Sequence, residues 1–512
     1  MNSLSWQKRS LLALASGATL ALSLPNYNLT LLAWVSVGLL VVASFGARPA
    51  VAPLYGLLHA IAFYPLSVPW MAIVVEQYGN VPPLVAAGLL LLISVAGGAI
   101  VAVFTWGIAF ASRRSPLIAC ALAPALWVAI EFARAHLPII AFPWNLIGYA
   151  ASGHLALVQL ATVTGIYGLS YIVAAYGSLL AYAYITGGNR PWKIAISVAA
   201  ALILIAFAGG FAVPQQTPRY VAHLVQTNFA QSYTYPPDWM QIHAGDLDQL
   251  EQISVDAARK NPGLIVWPEA PAPFTLQERD FADRARRIAQ DSGSDFLVGA
   301  EDWRRDAAGK WLATNSAILL NPSGDRIFSY DKIHLVPFGE YVPLRKWLAF
   351  TGKLTADIGD FTPGSQYSVG RLPDGRFGTF ICFEAVFPDL VRRFTTNGAE
   401  LLINISNDGW FGRSGAPAQH LMMARVRAVE NRRWLLRDTN NGFTASIDPY
   451  GRIAAELPTD IRGELDAPYD FRSDTTIYTR FGDWWAWACI VASIVLLGLT
   501  MVRFTKENAA SR

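Results

Sequence analysis

Cysteine is nearly absent from this chain of 512 residues, which contains three: Cys120, Cys382 and Cys489. Two of them fall in apolar runs, which excludes a disulfide framework and a cysteine-rich metal site. The seven histidines are scattered without zinc-ligand spacing, so neither a metal nor a cofactor is expected. Charge is scarce as well, at 15% of residues against about a quarter in ordinary soluble domains. The shortage is uneven. Residues 1–218 hold two of the 37 acidic side chains, Glu76 and Glu131, and eight of the 40 basic ones. A formal net charge of +3, with no basic patch of interleaved aromatics, excludes nucleic acid as a partner.

Where charge is missing, long apolar runs take its place. A membrane span needs about 20 apolar residues. Candidate runs cover residues 11–24, 29–45, 51–71, 81–111, 116–133, 155–185 and 194–213, and an eighth covers 484–502. The first run is short and follows Lys8-Arg9, as in a signal peptide. Six further runs favour reading it as a retained helix. Basic residues bear this out by the positive-inside rule. With a cytoplasmic N-terminus, inner loops carry Lys8, Arg9, Arg48, Arg113, Arg114, Arg190 and Lys193, while outer loops carry almost none. The expected layout is therefore a membrane domain of seven helices over 1–218 and an extracytoplasmic domain over 219–475. The eighth helix and a cytoplasmic tail follow over 476–512. Glu131 and Arg134 lie at helical spacing near the outer end of a span, where they could pair. The next loop, 141–149, is aromatic and broken by proline, and Trp144 within it could serve as interfacial belt or as the floor of an external site.

The polar part alternates strand and helix patterns. Strands are expected at 220–226, 263–267, 296–300, 316–320, 327–331, 377–381 and 401–405, with helices at 243–260, 281–292 and 420–431. The NPSG segment at 321–324 reads as a hairpin turn. An α/β layered fold follows, with function at the strand ends.

The stretch RFGTFICFE, residues 376–384, ends a strand at Cys382. A lone cysteine is otherwise a small buried apolar residue. Here a thiol at a strand end could be rigidly held yet exposed, as a nucleophile requires. Two other strand ends carry matching chemistry. Glu269, directly after GLIVWP, can be a general base. Lys332, after the strand 327–331, can supply a fixed cation for an oxyanion, and a nearby lysine would favour thiolate.

With their flanks these residues resemble the nitrilase (carbon–nitrogen hydrolase) superfamily. The matching pieces are WPEAP around Glu269, YDKIHLVPFGEYVP around Lys332 and FICFE around Cys382. The resemblance is closer still to its membrane branch, the apolipoprotein N-acyltransferases, through PFGEYVP, NISNDGWFG (404–412) and the arrangement of spans. It implies an αββα sandwich carrying Glu269, Lys332 and Cys382 as the catalytic set, beside eight transmembrane helices. It also implies the reaction. A phospholipid donates an acyl chain to Cys382 as a thioester, and the α-amino group of a diacylglyceryl-modified N-terminal cysteine on a lipoprotein takes it. The setting would be a bacterial inner membrane, with the catalytic domain on the periplasmic side and both termini cytoplasmic.

The resemblance further implies supporting roles for Glu340 and Glu384, in orienting Lys332 or the amine, and places Trp239, in PPDWM, on a mobile substrate loop. Phe383, Trp410, Phe411 and Trp144 are candidates for an apolar wall that keeps water from a thioester. The branch commonly has tyrosine where this chain has Phe383, which removes a hydroxyl there. Three other readings compete. A membrane-tethered amidase would use the same residues and pass the acyl group to water. A non-catalytic lipoprotein-binding module is opposed by the intact Glu269, Lys332 and Cys382. A serine hydrolase built on Ser406, Asp408 and His420 lacks the G-x-S-x-G turn.

Overall fold

The computed structural model describes residues 4–79, 81–137, 141–232, 234–270, 273–305, 309–341 and 361–510, with side chains as far as Val502. Pro271 of WPEAP and Val342-Pro343 of PFGEYVP lie outside the described residues. The chain divides into two compact units, one of residues 1–73, 82–213 and 481–512, the other of 74–81 and 214–480.

The first unit is helical. Pro83–Ser112, Pro116–His136, Ile166–Thr186, Asn189–Ala212 and Trp484–Val502 are each long and apolar enough to cross a membrane. A sixth span is formed if the bent pair Pro53–Ser67 and Trp70–Gln77 is counted as one. Trp6–Leu22 and Ala33–Ser44 are shorter helices. Local sequence sets the ends: Ser115 accepts the Ile118 amide at 3.1 Å, and Pro116 occupies the first helical position, where its missing N–H costs nothing. The run 155–185 is not one helix. Gly165, at φ 64°, breaks it between the short helices Leu155–Val158 and Ala161–Thr164 and the long helix Ile166–Thr186. Helices pack through small residues: a Cβ on Gly38 would meet the Gly177 carbonyl at 2.3 Å. Large apolar side chains such as Leu84, Leu204 and Phe211 point outward, an arrangement suited to lipid and costly in water.

Glu131 and Arg134 do not bond each other; each holds the loop that follows. Glu131 Oε1 accepts the Trp127 indole N–H at 3.1 Å and the Ile147 amide at 2.8 Å, and Arg134 donates to the Trp144 carbonyl at 3.0 Å.

The second unit is built from twelve strands: β1 (Tyr220–Gln226), β2 (Leu264–Val266), β3 (Phe296–Arg305), β4 (Trp311–Leu320), β5 (Arg326–Asp331), β6 (Val369–Leu372), β7 (Gly375–Ile381), β8 (Leu401–Ser406), β9 (Leu435–Thr439), β10 (Thr444–Ile447), β11 (Ile453–Leu457) and β12 (Gly463–Tyr469). They form two six-stranded sheets, ordered β12-β1-β2-β3-β4-β5 and β11-β10-β9-β8-β7-β6. The central strands β1-β2-β3 and β7-β8-β9 run parallel, and hairpins extend each sheet outward. Helices Ala244–Lys260 and Arg279–Ser292 pack on the first sheet, Pro388–Thr396 packs on the second with Ala416–Asn431 beside it, and the sheets face each other through β1 and β9. The result is an αββα sandwich. In Arg279–Ser292, Phe281, Ala285 and Ile288 recur on one face and are buried against Trp267, Phe274 and Phe296. The 321–324 turn forms as its sequence suggests, with Gly324 at φ 82°.

Gly299 on β3 lets the turn after β2 lie against the sheet. A Cβ there would stand 2.3 Å from the Pro268 carbonyl oxygen and 2.7 Å from Glu269 Cα. Gly299→Ala should lower stability by about 1–3 kcal/mol and displace Glu269. Denaturant unfolding and turnover assays check this, with both parameters falling together.

Candidate active site

Three strand ends converge. β2 stops at Trp267-Pro268, because proline cannot donate to the ladder, and Glu269 follows at once. β5 ends at Asp331, and the Lys332 amide bonds the Asn315 carbonyl of β4 at 2.8 Å, which starts the next turn. β7, in the other sheet, ends at Ile381 and delivers Cys382.

Lys332 is 1% exposed, so its ammonium depends on the groups around it. Nζ donates to Glu269 Oε1 at 2.9 Å and to Glu340 Oε1 at 2.8 Å. Asn315 Nδ2 bridges the same two oxygens, each at 2.8 Å. The second oxygen of Glu269 accepts the Asn407 amide at 2.9 Å, and that of Glu340 accepts the Val336 amide at 2.8 Å. Both carboxylates are thereby held rigidly. Burial alone would push the Lys332 pKa down, but the attraction of Glu269 and Glu340 overcomes it and holds the group well above the usual lysine range. The ammonium keeps a third N–H that no described residue accepts.

Cys382 sits at φ 50°, a left-handed conformation unusual for a residue with a Cβ, and opens the short turn Cys382–Val386. It is 6% exposed, so the expectation of an exposed thiol is not met. Nor is thiolate favoured at rest. Burial pushes the thiol pKa far up, the Glu269 charge adds to this, and Lys332 offsets only part of it. The resting group is a thiol.

Glu384 does not reach Lys332; it ties the two turns together. Oε1 accepts the Tyr330 hydroxyl at 2.8 Å and the Ile333 and His334 amides at 2.8 and 3.0 Å, while Oε2 accepts the Ile381 amide at 2.7 Å. Glu340 does orient Lys332. Phe383 lies 6.0 Å from the His334 ring and 5.2 Å from Phe387. Trp410 packs edge-on against Tyr78 at 4.9 Å, and the Tyr78 hydroxyl donates to the Gly409 carbonyl at 2.9 Å. Trp239 is not on an open loop: it is 5% exposed and packs against Phe229 and Phe274 within the core. Trp144 belongs to the helical unit, buried beside Trp70 and stacked on Phe142 at 5.9 Å. Ser406, Asp408 and His420 do come together, but Ser406 Oγ bonds Asp408 at 2.9 Å and not the imidazole, so His420 is not placed to activate it.

Asn315, the Asn407 amide and Tyr330 escaped the sequence reading. Asn315 and Tyr330 lie inside strands, where only the partner strand's register reveals what they meet. Asn407 lay within NISNDGWFG, which pointed to the family without a role.

Burial pushes the Glu384 carboxyl from 4.5 up to about 7, against the pull of the Ile381 and His334 amides and Tyr330. Between those values the folded chain binds more protons than the unfolded one, so this group withdraws stability as pH rises and withdraws none below the window. Glu384→Gln should flatten the melting-temperature profile between about pH 5 and pH 7 while lowering it overall, because its NH2 group would replace an oxygen that accepts at least one hydrogen bond. Thermal melts across pH test this, and an unchanged profile shape would assign the titration elsewhere.

Residues 16–179 match the family model described as apolipoprotein N-acyltransferase N-terminal domain, and residues 230–473 match that of carbon–nitrogen hydrolase. A protein named apolipoprotein N-acyltransferase from Geobacter metallireducens is 36% identical over 507 residues, spanning 96% of this chain and 95% of the relative. Proteins of the same name from Azotobacter vinelandii and Rhodopseudomonas palustris are 32% and 31% identical, covering 98% and 97% of this chain and 96% of each relative. With a nitrilase-like sandwich, several apolar helices and near full-length identity of this order, the chain belongs to the apolipoprotein N-acyltransferase family.

Proposed function

We propose that the chain transfers an acyl group from a phospholipid, through a thioester on Cys382, to the α-amino group of a diacylglyceryl-cysteine at a lipoprotein N-terminus. The observation that carries this reading is the buried Glu269–Lys332–Glu340 knot, charge-coupled to Cys382. Glu269 takes the thiol proton, and the sulfur attacks the ester carbonyl. The free N–H of Lys332 stabilises the oxyanion. Collapse of the intermediate expels the lysophospholipid alkoxide, which takes the proton from Glu269 and leaves the thioester. The amine then attacks, Glu269 receives its proton, and the proton returns to the departing sulfur. Two moderate barriers replace one high one. Glu340 and Glu384 support Lys332 and its turn, while Phe383 and Trp410 contribute an apolar wall. Trp144, fixed by Arg134, belongs to a lipid-facing loop.

The membrane topology belongs to the same reading. Trp6–Leu22 and Ala33–Ser44 count as spans beside the longer helices, giving seven over 1–218 and an eighth at the end. The domain over 219–475 lies on the periplasmic side of a bacterial inner membrane, with both termini cytoplasmic, where phospholipid and lipoprotein substrates share one leaflet.

Detergent-purified enzyme incubated with phospholipid alone should carry an acyl adduct on the Cys382 peptide by mass spectrometry. The adduct should be labile to hydroxylamine and discharged by a diacylglyceryl-cysteine peptide. An adduct that only water discharges would make the protein a tethered hydrolase. Cys382→Ala should lose the adduct and all transfer yet still insert and fold. Lys332→Arg should lower turnover by at least about 100-fold, since a planar fork cannot replace a point charge between two carboxylates. Near-normal turnover would remove Lys332 from the oxyanion role.

A further inference from the structure

Within the helical unit, the helices Pro53–Ser67, Pro83–Ser112 and Pro116–His136 surround a cavity that the acyl-transfer chemistry does not use. Its walls are largely apolar, yet His59, Tyr64, Glu131, Arg134 and Asn145 line it. The loop contacts of Glu131 and Arg134 engage only part of each side chain. Glu131 Oε2 and Arg134 Nε have no hydrogen-bond partner among the described residues. Neither polar atom of the Asn145 side chain has one either, although the residue is 2% exposed. Asn145 sits at φ 56°, which asparagine tolerates, but glycine would meet that need without burying an amide. Tyr64 accepts Arg134 Nη1 at 3.3 Å and keeps its own hydrogen. His59 is fixed from its other side. The Ser16 hydroxyl donates to the Ser36 carbonyl at 2.7 Å, so the 2.9 Å contact between Ser16 Oγ and His59 Nδ1 takes its hydrogen from the ring. His59 Nε2 is then a bare acceptor.

The cavity is therefore lined by donors on Arg134, Asn145 and Tyr64 and by acceptors on Glu131, Asn145 and His59. An anion would answer the donors alone, and a cation the acceptors alone. Water answers both. The space agrees, since the cavity offers about 30 Å³ to the centres of water molecules. One water needs about 10–15 Å³ by that measure, so roughly two fit, and a phospholipid head group does not. We infer that this cavity is a hydration site, whose ordered waters join Glu131 Oε2 to Arg134 Nε and to the Asn145 amide. The two ionisable side chains are thereby linked through water rather than directly. The loop they hold by its backbone at Trp144 and Ile147 gains a further tie through the Asn145 side chain. Hydrocarbon would leave each of these groups unsatisfied, so the waters belong to the fold of the helical unit. The site does not depend on which reaction the other unit performs.

X-ray radiolysis of the full-length protein in detergent, followed by peptide mass spectrometry, tests this. Hydroxyl radicals form from the water beside a side chain, so a buried ring against ordered water is oxidised and an equally buried dry ring is not. Tyr64, 4% exposed, lines the cavity, whereas Tyr149, 1% exposed, does not. Tyr64 should be oxidised at least about fivefold faster than Tyr149. Val101 also lines the cavity, and Val101→Phe, which adds a ring there, should bring Tyr64 down to the Tyr149 rate. Equal rates in the wild type would overturn the inference, whether the cavity is dry or filled by part of a lipid. A Tyr64 rate unchanged in a folded Val101→Phe protein would overturn it as well. Should that variant not fold, the two tyrosines of the wild type decide alone.

Discussion

An ammonium taken out of water costs several kcal/mol unless opposite charge replaces the lost hydration, and Lys332 is almost wholly taken out. Glu269 and Glu340 supply that charge, and removing both would leave the ammonium uncompensated, at about 3–5 kcal/mol. The requirement reaches outward. Glu269 must end β2 where the Asn407 amide can hold it, Glu340 must turn back to Val336, and Asn315 must face both from the middle of β4. Elements from both sheets are thus fixed in register by one cation.

In the mechanism proposed above, the same knot sets the charge balance of the reaction. With a neutral thiol, two carboxylates and one ammonium carry a net charge of −1. Thiolate formed by releasing a proton to solvent would raise this to −2 in a dry site. Proton transfer from Cys382 to Glu269 keeps it at −1. Base and nucleophile are thereby coupled, and the raised thiol pKa is the resting side of that coupling rather than a defect. A sulfur that ionises only when its proton has somewhere to go is spared alkylation and oxidation between turnovers.

How much of this was legible in the sequence depends on what each residue answers to. The strands at 220–226 and 401–405 and the β4–β5 hairpin answer to local pattern and turn chemistry, and they appear where the pattern puts them, to within a few residues at their ends. Strand ends were legible for the same reason: Pro268 stops a ladder whatever surrounds it. β6 and β9 to β12 were not read: β6 and β10 are short, β11 and β12 are half-exposed with Pro468 in β12, and β9 is a buried strand whose apolar run is cut by Arg437 and Asp438. Asn315 is the clearest case of what pattern cannot carry. It stands between Thr314 and Ser316 in β4, and its meaning arises only when Glu269 after β2 and the 336–340 turn close over it. Trp239, placed on a mobile loop by family resemblance, is buried here because Phe229 and Phe274 supply a core for it to fill.

The helical unit obeys the converse rule. There apolar side chains face out and the few polar ones face in, so Glu131 and Arg134 persist only because each meets main-chain groups of the 144–147 segment. A proline-broken loop leaves backbone donors and acceptors unpaired, which hydrocarbon cannot satisfy and water-facing loops never need to. Two ionisable side chains one helical turn apart answer that need together, one accepting the Ile147 amide and one donating to the Trp144 carbonyl. Their retention in a segment otherwise nearly free of charge follows from the backbone they serve, without any ion pair between them.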